Sequence, residues 1–126
     1  MKLIVVGLNP SSHKYAGRKI SPTFKRLERW MSECGVKHFS FVNSFDYEKS
    51  SPEAKDADLE KLRVCSTGYT KVLALGGFAS SALNKLKIRH ERLPHPSPRN
   101  RQFNDPSFER AVVRRISEYL NENIER

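Results

Sequence analysis

The chain has 126 residues, with 23 Lys or Arg against 14 Asp or Glu, a formal charge of +9 and a pI near 9.8. That length supports a single domain, residues 1–126, with one modest core and no room for a second. Two cysteines are too few for a disulfide framework or a four-cysteine cluster, and the charge points to a polyanion such as nucleic acid as partner.

Leu3 to Val6 is a continuous apolar, β-branched run ending at Gly7, which predicts a strand buried on both faces. It is too short for a signal peptide or a membrane span, so the chain reads as soluble, unanchored and cytoplasmic. Leu8-Asn9-Pro10-Ser11-Ser12-His13 then leaves the carboxyl end of that strand, and residues 14–20 read as a basic loop. Ser21-Pro22 is an N-cap followed by proline at the first helical position. Phe24, Leu27, Met31 and Cys34 form one apolar stripe, Gly35 closes the helix, and Trp30 falls off the stripe, at an edge against a neighbouring element.

Phe39 to Val42 predicts a second strand, with Asn43-Ser44-Phe45 at its carboxyl end. Ser51-Pro52-Glu53 repeats the cap chemistry and opens a helix to about Thr67, stopped by Gly68. Val72 to Leu75 is a third buried strand, and Gly76-Gly77 turns into a helix with Phe78, Ala79, Ala82, Leu83 and Leu86 on its apolar side. Ile88 to Leu93 predicts a fourth, more polar strand near an edge. Asp105-Pro106 caps a last helix with Phe108, Ala111, Val112, Ile116, Tyr119 and Leu120 facing inward.

Strands alternating with helices predict an α/β fold, a three-layer α/β/α sandwich around a four-stranded parallel sheet. Ligands of such sheets bind outside the carboxyl ends of the strands, and the loops starting at Asn9, Asn43, Gly76 and His95 all leave from there. The last is the stiffest. In Leu93-Pro94-His95-Pro96-Ser97-Pro98-Arg99-Asn100-Arg101, three alternating prolines remove three donors and fix φ, so little further entropy is lost when a ligand docks. Lys85, Lys87, Arg89, Arg92, Arg99 and Arg101, against Glu91 alone, make the densest basic run and abut this loop. Gly76-Gly77 has neither a Walker lysine nor a dinucleotide fingerprint, and His13, His38 and His90 are not at metal-ligand spacing. No metal or cofactor is expected.

Gly7-Leu8-Asn9-Pro10-Ser11 and His95-Pro96-Ser97-Pro98 together resemble the two signature motifs of the uracil-DNA glycosylase superfamily. Between them, Phe41-Val42-Asn43 is similar to the strand-end asparagine that this family uses to read a pyrimidine. Val72–Gly76 with Phe78–Leu83 is similar to the strand–turn–helix unit before the second motif, so the ordered likeness spans nearly the whole chain.

The resemblance implies hydrolysis of the N-glycosidic bond of a base flipped out of DNA, in the manner of a minimal mismatch-type uracil/thymine enzyme acting as a monomer. It assigns His95 to donate to the pyrimidine O2 and Asn9 to orient the attacking water. An amide takes up no proton, so a slower enzyme is expected than one with a carboxylate there. Asn43 would read the base edge, and Tyr15 and Phe24 are the candidates to stack on the base. Ser11 and Ser97 would hold flanking phosphates, helped by Arg92, Arg99 and Arg101, and Arg99 stands where the family carries an apolar wedge. Two other functions fit the same residues: an enzyme of this fold acting on modified pyrimidines in phage-type DNA modification, and a non-catalytic nucleic-acid-binding protein.

Overall fold

The structure, a computed structural model, describes residues 2–7, 22–44, 58–97 and 99–122. Four strands, β1 (Leu3–Gly7), β2 (Ser40–Asn43), β3 (Lys71–Leu75) and β4 (Glu91–Leu93), form one all-parallel sheet in the order β2-β1-β3-β4. Every residue of β1 and β3 is buried, as the apolar runs Leu3–Val6 and Val72–Leu75 require of central strands. Helices α1 (Pro22–Glu33), α2 (Leu59–Ser66), α3 (Gly76–Lys85) and α4 (Pro106–Leu120) supply the outer layers.

The period-2 alternation of the strands sorts the core into two clusters. Leu3, Val5, Leu73, Leu75 and Leu93 meet Leu27 and Met31 of α1 and Val112 and Ile116 of α4. Ile4, Val6, Val42, Val72 and Ala74 meet Leu62 of α2 and Ala79, Ala82 and Leu83 of α3. The molecule is thus the expected α/β sandwich, with α1 and α4 on one face of the sheet and α2 and α3 on the other. Each fully buried aliphatic side chain contributes about 1.5–3 kcal/mol relative to exposure, so these two layers are the main stabilising term. Among the described residues no helix is long and apolar enough to cross a membrane.

Helix α1 ends in a Schellman motif. The Gly35 N–H donates to Ser32 O at 3.0 Å and Val36 N–H to Met31 O at 2.9 Å, with Gly35 at φ +77°. Helix α3 ends the same way, Lys87 N–H to Asn84 O and Ile88 N–H to Leu83 O, both at 3.0 Å, but Lys87 takes the left-handed position at φ +58°. This corrects the fourth strand. Ile88 is the apolar residue closing the α3 cap and His90 Nδ1–H donates to Ile88 O at 2.8 Å, so β4 starts only at Glu91.

Two further expectations are corrected, and a third falls outside the described residues. Trp30, placed off the α1 stripe by periodicity, is completely buried. Its indole N–H donates to Glu109 Oε2 at 2.9 Å and its ring packs against Phe103, because α4 and the short 3-10 helix Arg101–Asn104 cover that flank. The described part of α2 is capped by Asp58, whose side chain accepts from Lys61 N–H at 3.0 Å; the expected start at Ser51-Pro52-Glu53 lies outside the described residues. Ala111 is exposed, while Val112, Ile116 and Tyr119 are buried as expected.

Candidate functional site

The site is built at the carboxyl edge of the sheet. Strand β1 is followed by a helix on one face and β3 by a helix on the other, so the connections diverge. A crevice outside the ends of β1 and β3 is where an open parallel sheet binds its ligands. Gly7 ends β1, and Leu75 and Gly76 end β3.

Asn43 flanks this crevice from β2, in register with Gly7. Ser44 ties the two strand ends together. Its N–H donates to Gly7 O at 3.0 Å and its buried hydroxyl to the same oxygen at 2.6 Å. Gly7 is required here, since a Cβ would stand 2.7 Å from Phe41 Cζ and 3.1 Å from Asn43 Oδ1. The missing side chain lets the Asn43 amide lie against the end of β1.

His95 flanks the crevice from the other side. Gly76 adopts φ +88°, and a Cβ on it would meet His95 Cβ at 3.6 Å and Cδ2 at 3.7 Å, so the imidazole packs over the first residue of α3. Burial pushes the His95 pKa below its ordinary value, which keeps the ring neutral at pH 7. Asn43 ends β2 and His95 follows β4, the two outer strands of the sheet, so they stand about three strand spacings apart, roughly 14 Å.

Neither a protein-family model nor a curated protein matches this chain. The chemistry of the site therefore rests on its own geometry.

The proline loop is held by a residue to which the sequence reading gave no role. Asn100 Nδ2 donates to His95 O at 3.3 Å, and Asn100 Oδ1 accepts the Gln102 N–H at 3.1 Å. Its backbone N–H donates to Ser97 O at 3.0 Å. One side chain thus pins the backbone of the histidine to the start of the 3-10 helix. The signal was present, since asparagine just before a helix makes such local bonds.

The other candidate residues distribute as follows. Ser97 Oγ accepts the Arg99 N–H at 3.1 Å and so shapes the turn, while its hydroxyl proton stays available to a phosphate. Arg99 and Arg101 are exposed on that turn and on the 3-10 helix. The Arg92 guanidinium lies across the start of α3, with Nη2 3.0 Å from where a Gly77 Cβ would be. Phe24 belongs to the core. Its ring stacks on Phe39 at 6.2 Å and meets the edge of Phe41 at 5.4 Å, because the α1 stripe faces the sheet rather than the crevice. Asn9, Ser11 and Tyr15 lie outside the described residues. Among the described residues no group of three or more His, Cys, Asp or Glu is placed to hold a metal ion.

Proposed function

We propose that this chain hydrolyses the N-glycosidic bond of uracil, or of a related modified pyrimidine, on a nucleotide flipped out of DNA, acting as a monomer in the cytoplasm. The observation that supports this reading most is the His95 imidazole. It is neutral, half-buried, aimed by a proline-locked loop, and set over Gly76 beside the crevice at the end of β1.

The chemistry needs such a group. As the bond from the base nitrogen to C1′ breaks, its electron pair leaves with the base and negative charge builds on the pyrimidine O2, while the sugar becomes cationic. A fixed imidazole N–H beside O2 stabilises that charge as it develops, and a low-dielectric setting strengthens the effect. Water then adds to C1′, and the proton it loses is taken up by the departed base anion. The resemblance assigns the orientation of that water to Asn9, whose amide accepts no proton, so turnover is slow. The Asn43 amide offers a donor and an acceptor to the base edge. Arg92, Arg99 and Arg101 form no ion pair among the described residues, which suits a polyanionic substrate. Both cysteines are free, as a reducing compartment requires.

The test uses single- and double-stranded oligonucleotides carrying uracil, thymine opposite guanine, or hydroxymethyluracil, followed by alkali. Strand scission is expected from the wild type and is lost in His95→Ala and Asn9→Ala. Absence of abasic sites on all three bases overturns the reading. Salt-sensitive binding with no scission then indicates a nucleic-acid-binding protein, and a changed base seen by mass spectrometry of digested DNA indicates a modification enzyme.

A further inference from the structure

Ser44 is fully buried at the end of β2, directly after the asparagine assigned to the base edge. Three hydrogen bonds fix it. Its N–H and its hydroxyl both donate to Gly7 O, at 3.0 and 2.6 Å, and its carbonyl accepts the N–H of Asp58, the cap of α2, at 2.8 Å. The N–H alone satisfies Gly7 O as the last rung between β1 and β2. The hydroxyl bond is therefore surplus to backbone pairing. A methyl group at the same place would bury at least as well, since a hydroxyl offsets its own desolvation only by finding a partner.

We infer that Ser44 is a positioning residue for base recognition: it holds the end of β1 as the surface on which the Asn43 amide is set. The inference rests on the reading proposed above. Two donors from one residue serve both lone pairs of Gly7 O, so the peptide plane that carries this oxygen is held against rocking. That plane matters because Gly7 lies against Asn43. A Cβ on Gly7 would stand 3.1 Å from Asn43 Oδ1, so the amide oxygen follows any movement of the glycine. Gly7 pairs with Asn43 in register and Ser44 is covalently next to Asn43, so the hydroxyl bond closes a short ring through both strand ends. Asp58 steadies that ring from α2. An amide reads a base edge by which of its two ends faces which atom, and a misplacement of about 1 Å can cost about a hundredfold in rate. With no exposed surface, Ser44 itself touches no substrate and acts through Asn43.

A double-mutant cycle on a uracil-containing single strand, read as kcat/KM under single-turnover conditions, tests this. Ser44→Ala is expected to lower kcat/KM about tenfold in the wild-type background and less than about twofold in Asn43→Ala, where no amide remains to be set. Ser40→Ala is the matched control. It removes a hydroxyl bond, to Tyr69, from the opposite end of the same strand, and is expected to cost less than about twofold. A second readout needs no activity. In nitrogen-15 spectra the Asn43 side-chain amide pair, assigned by its disappearance in Asn43→Ala, is expected to move toward the free-amide position in Ser44→Ala. The Asn100 pair, held by His95 O, is expected to stay in place.

An equal loss from Ser44→Ala in both backgrounds means that it acts without Asn43, and overturns the inference. An Asn43 amide signal unmoved in Ser44→Ala does the same. A loss in Ser40→Ala as large as that in Ser44→Ala means that the strand is merely loosened, and overturns it too. Circular dichroism melts exclude unfolding of the variants. A wild type that makes no abasic sites overturns the reading of the site, while the amide spectra still decide by themselves whether Ser44 sets Asn43.

Discussion

His95 joins a stiff loop to a half-buried position, and its protonation is linked to folding. Burial disfavours the imidazolium, so its folded pKa lies below the ordinary value of about 6.5. As pH falls below about 6.5 the unfolded chain takes up this proton first. Stability contributed by the neutral ring is therefore complete above that pH and is lost as pH drops toward the folded pKa. Urea midpoints at pH 7.5 and pH 5 are expected to fall in the wild type, and to fall less in His95→Gln, which cannot titrate. An equal drop in both proteins would remove His95 as the source. Asn100 offers a second test at this scale. Asn100→Ala removes one bond to His95 O and one from Gln102 N–H, and is expected to cost about 1–2 kcal/mol in chemical denaturation. It should also reduce strand scission, because the loop carrying the imidazole loses its tie to the 3-10 helix. Asn100→Asp keeps the acceptor for Gln102 but loses the donor to His95 O, so it separates helix capping from loop anchoring.

At the scale of elements, the helix ends were readable only where the usual residue stands there. Gly35 announces the end of α1 because glycine enters the left-handed region without strain. The end of α3 has the same hydrogen bonds around Lys87, and nothing in a lysine marks it, so the following strand is expected three residues too early. Lys87→Gly is expected to stabilise the protein by about 1 kcal/mol, since a side chain at φ +58° carries a steric cost. A thermal melt reads this directly. Gly7 is the opposite case. Gly7→Ala brings a Cβ to within 2.7 Å of the Phe41 ring and displaces β2 at the Asn43 register, with an expected loss of about 1–3 kcal/mol. Asn43 is named as a candidate from its place after a strand. That it lies against a glycine across the ladder follows from strand pairing, which a linear pattern does not contain.

For the whole molecule, one carboxylate joins the layer on one face of the sheet. Glu109 Oε2 on α4 accepts from Trp30 Nε1 at 2.9 Å and Arg29 Nη2 at 2.5 Å, with Arg26 Nε at 3.2 Å. Arg26 also lies 4.5 Å over the Phe103 ring, so α1, α4 and the segment after the proline loop share this contact. Glu109→Ala leaves a buried indole N–H and two cations without their acceptor. A loss of about 2–3 kcal/mol is expected, measured by urea denaturation, whereas Glu118→Ala on the exposed side of the same helix should change little. At the opposite edge, Lys71 enters the sheet buried because its ammonium donates to Tyr119 O and Glu122 O at 2.9 and 3.0 Å, closing the carboxyl end of α4. Neither arrangement has a sequence signature, as the partners stand 48 to 80 residues apart.

Local sequence alone determined the alternation of strands and helices, the two doubly buried strands, the proline entry of α1 and the Asp105–Pro106 cap of α4. It also supplied the placing of Asn43 and His95 at carboxyl ends of strands. These depend on side-chain period and backbone chemistry within a few residues, which a chain carries wherever it folds. Tertiary structure alone decided that Trp30 is core and Ala111 is exposed, that Asn100 holds the histidine loop, and that Gly7 and Gly76 are the surfaces on which the two candidate side chains rest. Each of those is settled by which distant segment comes to cover a residue, and burial, unlike helical or strand period, belongs to the packed molecule rather than to any stretch of it.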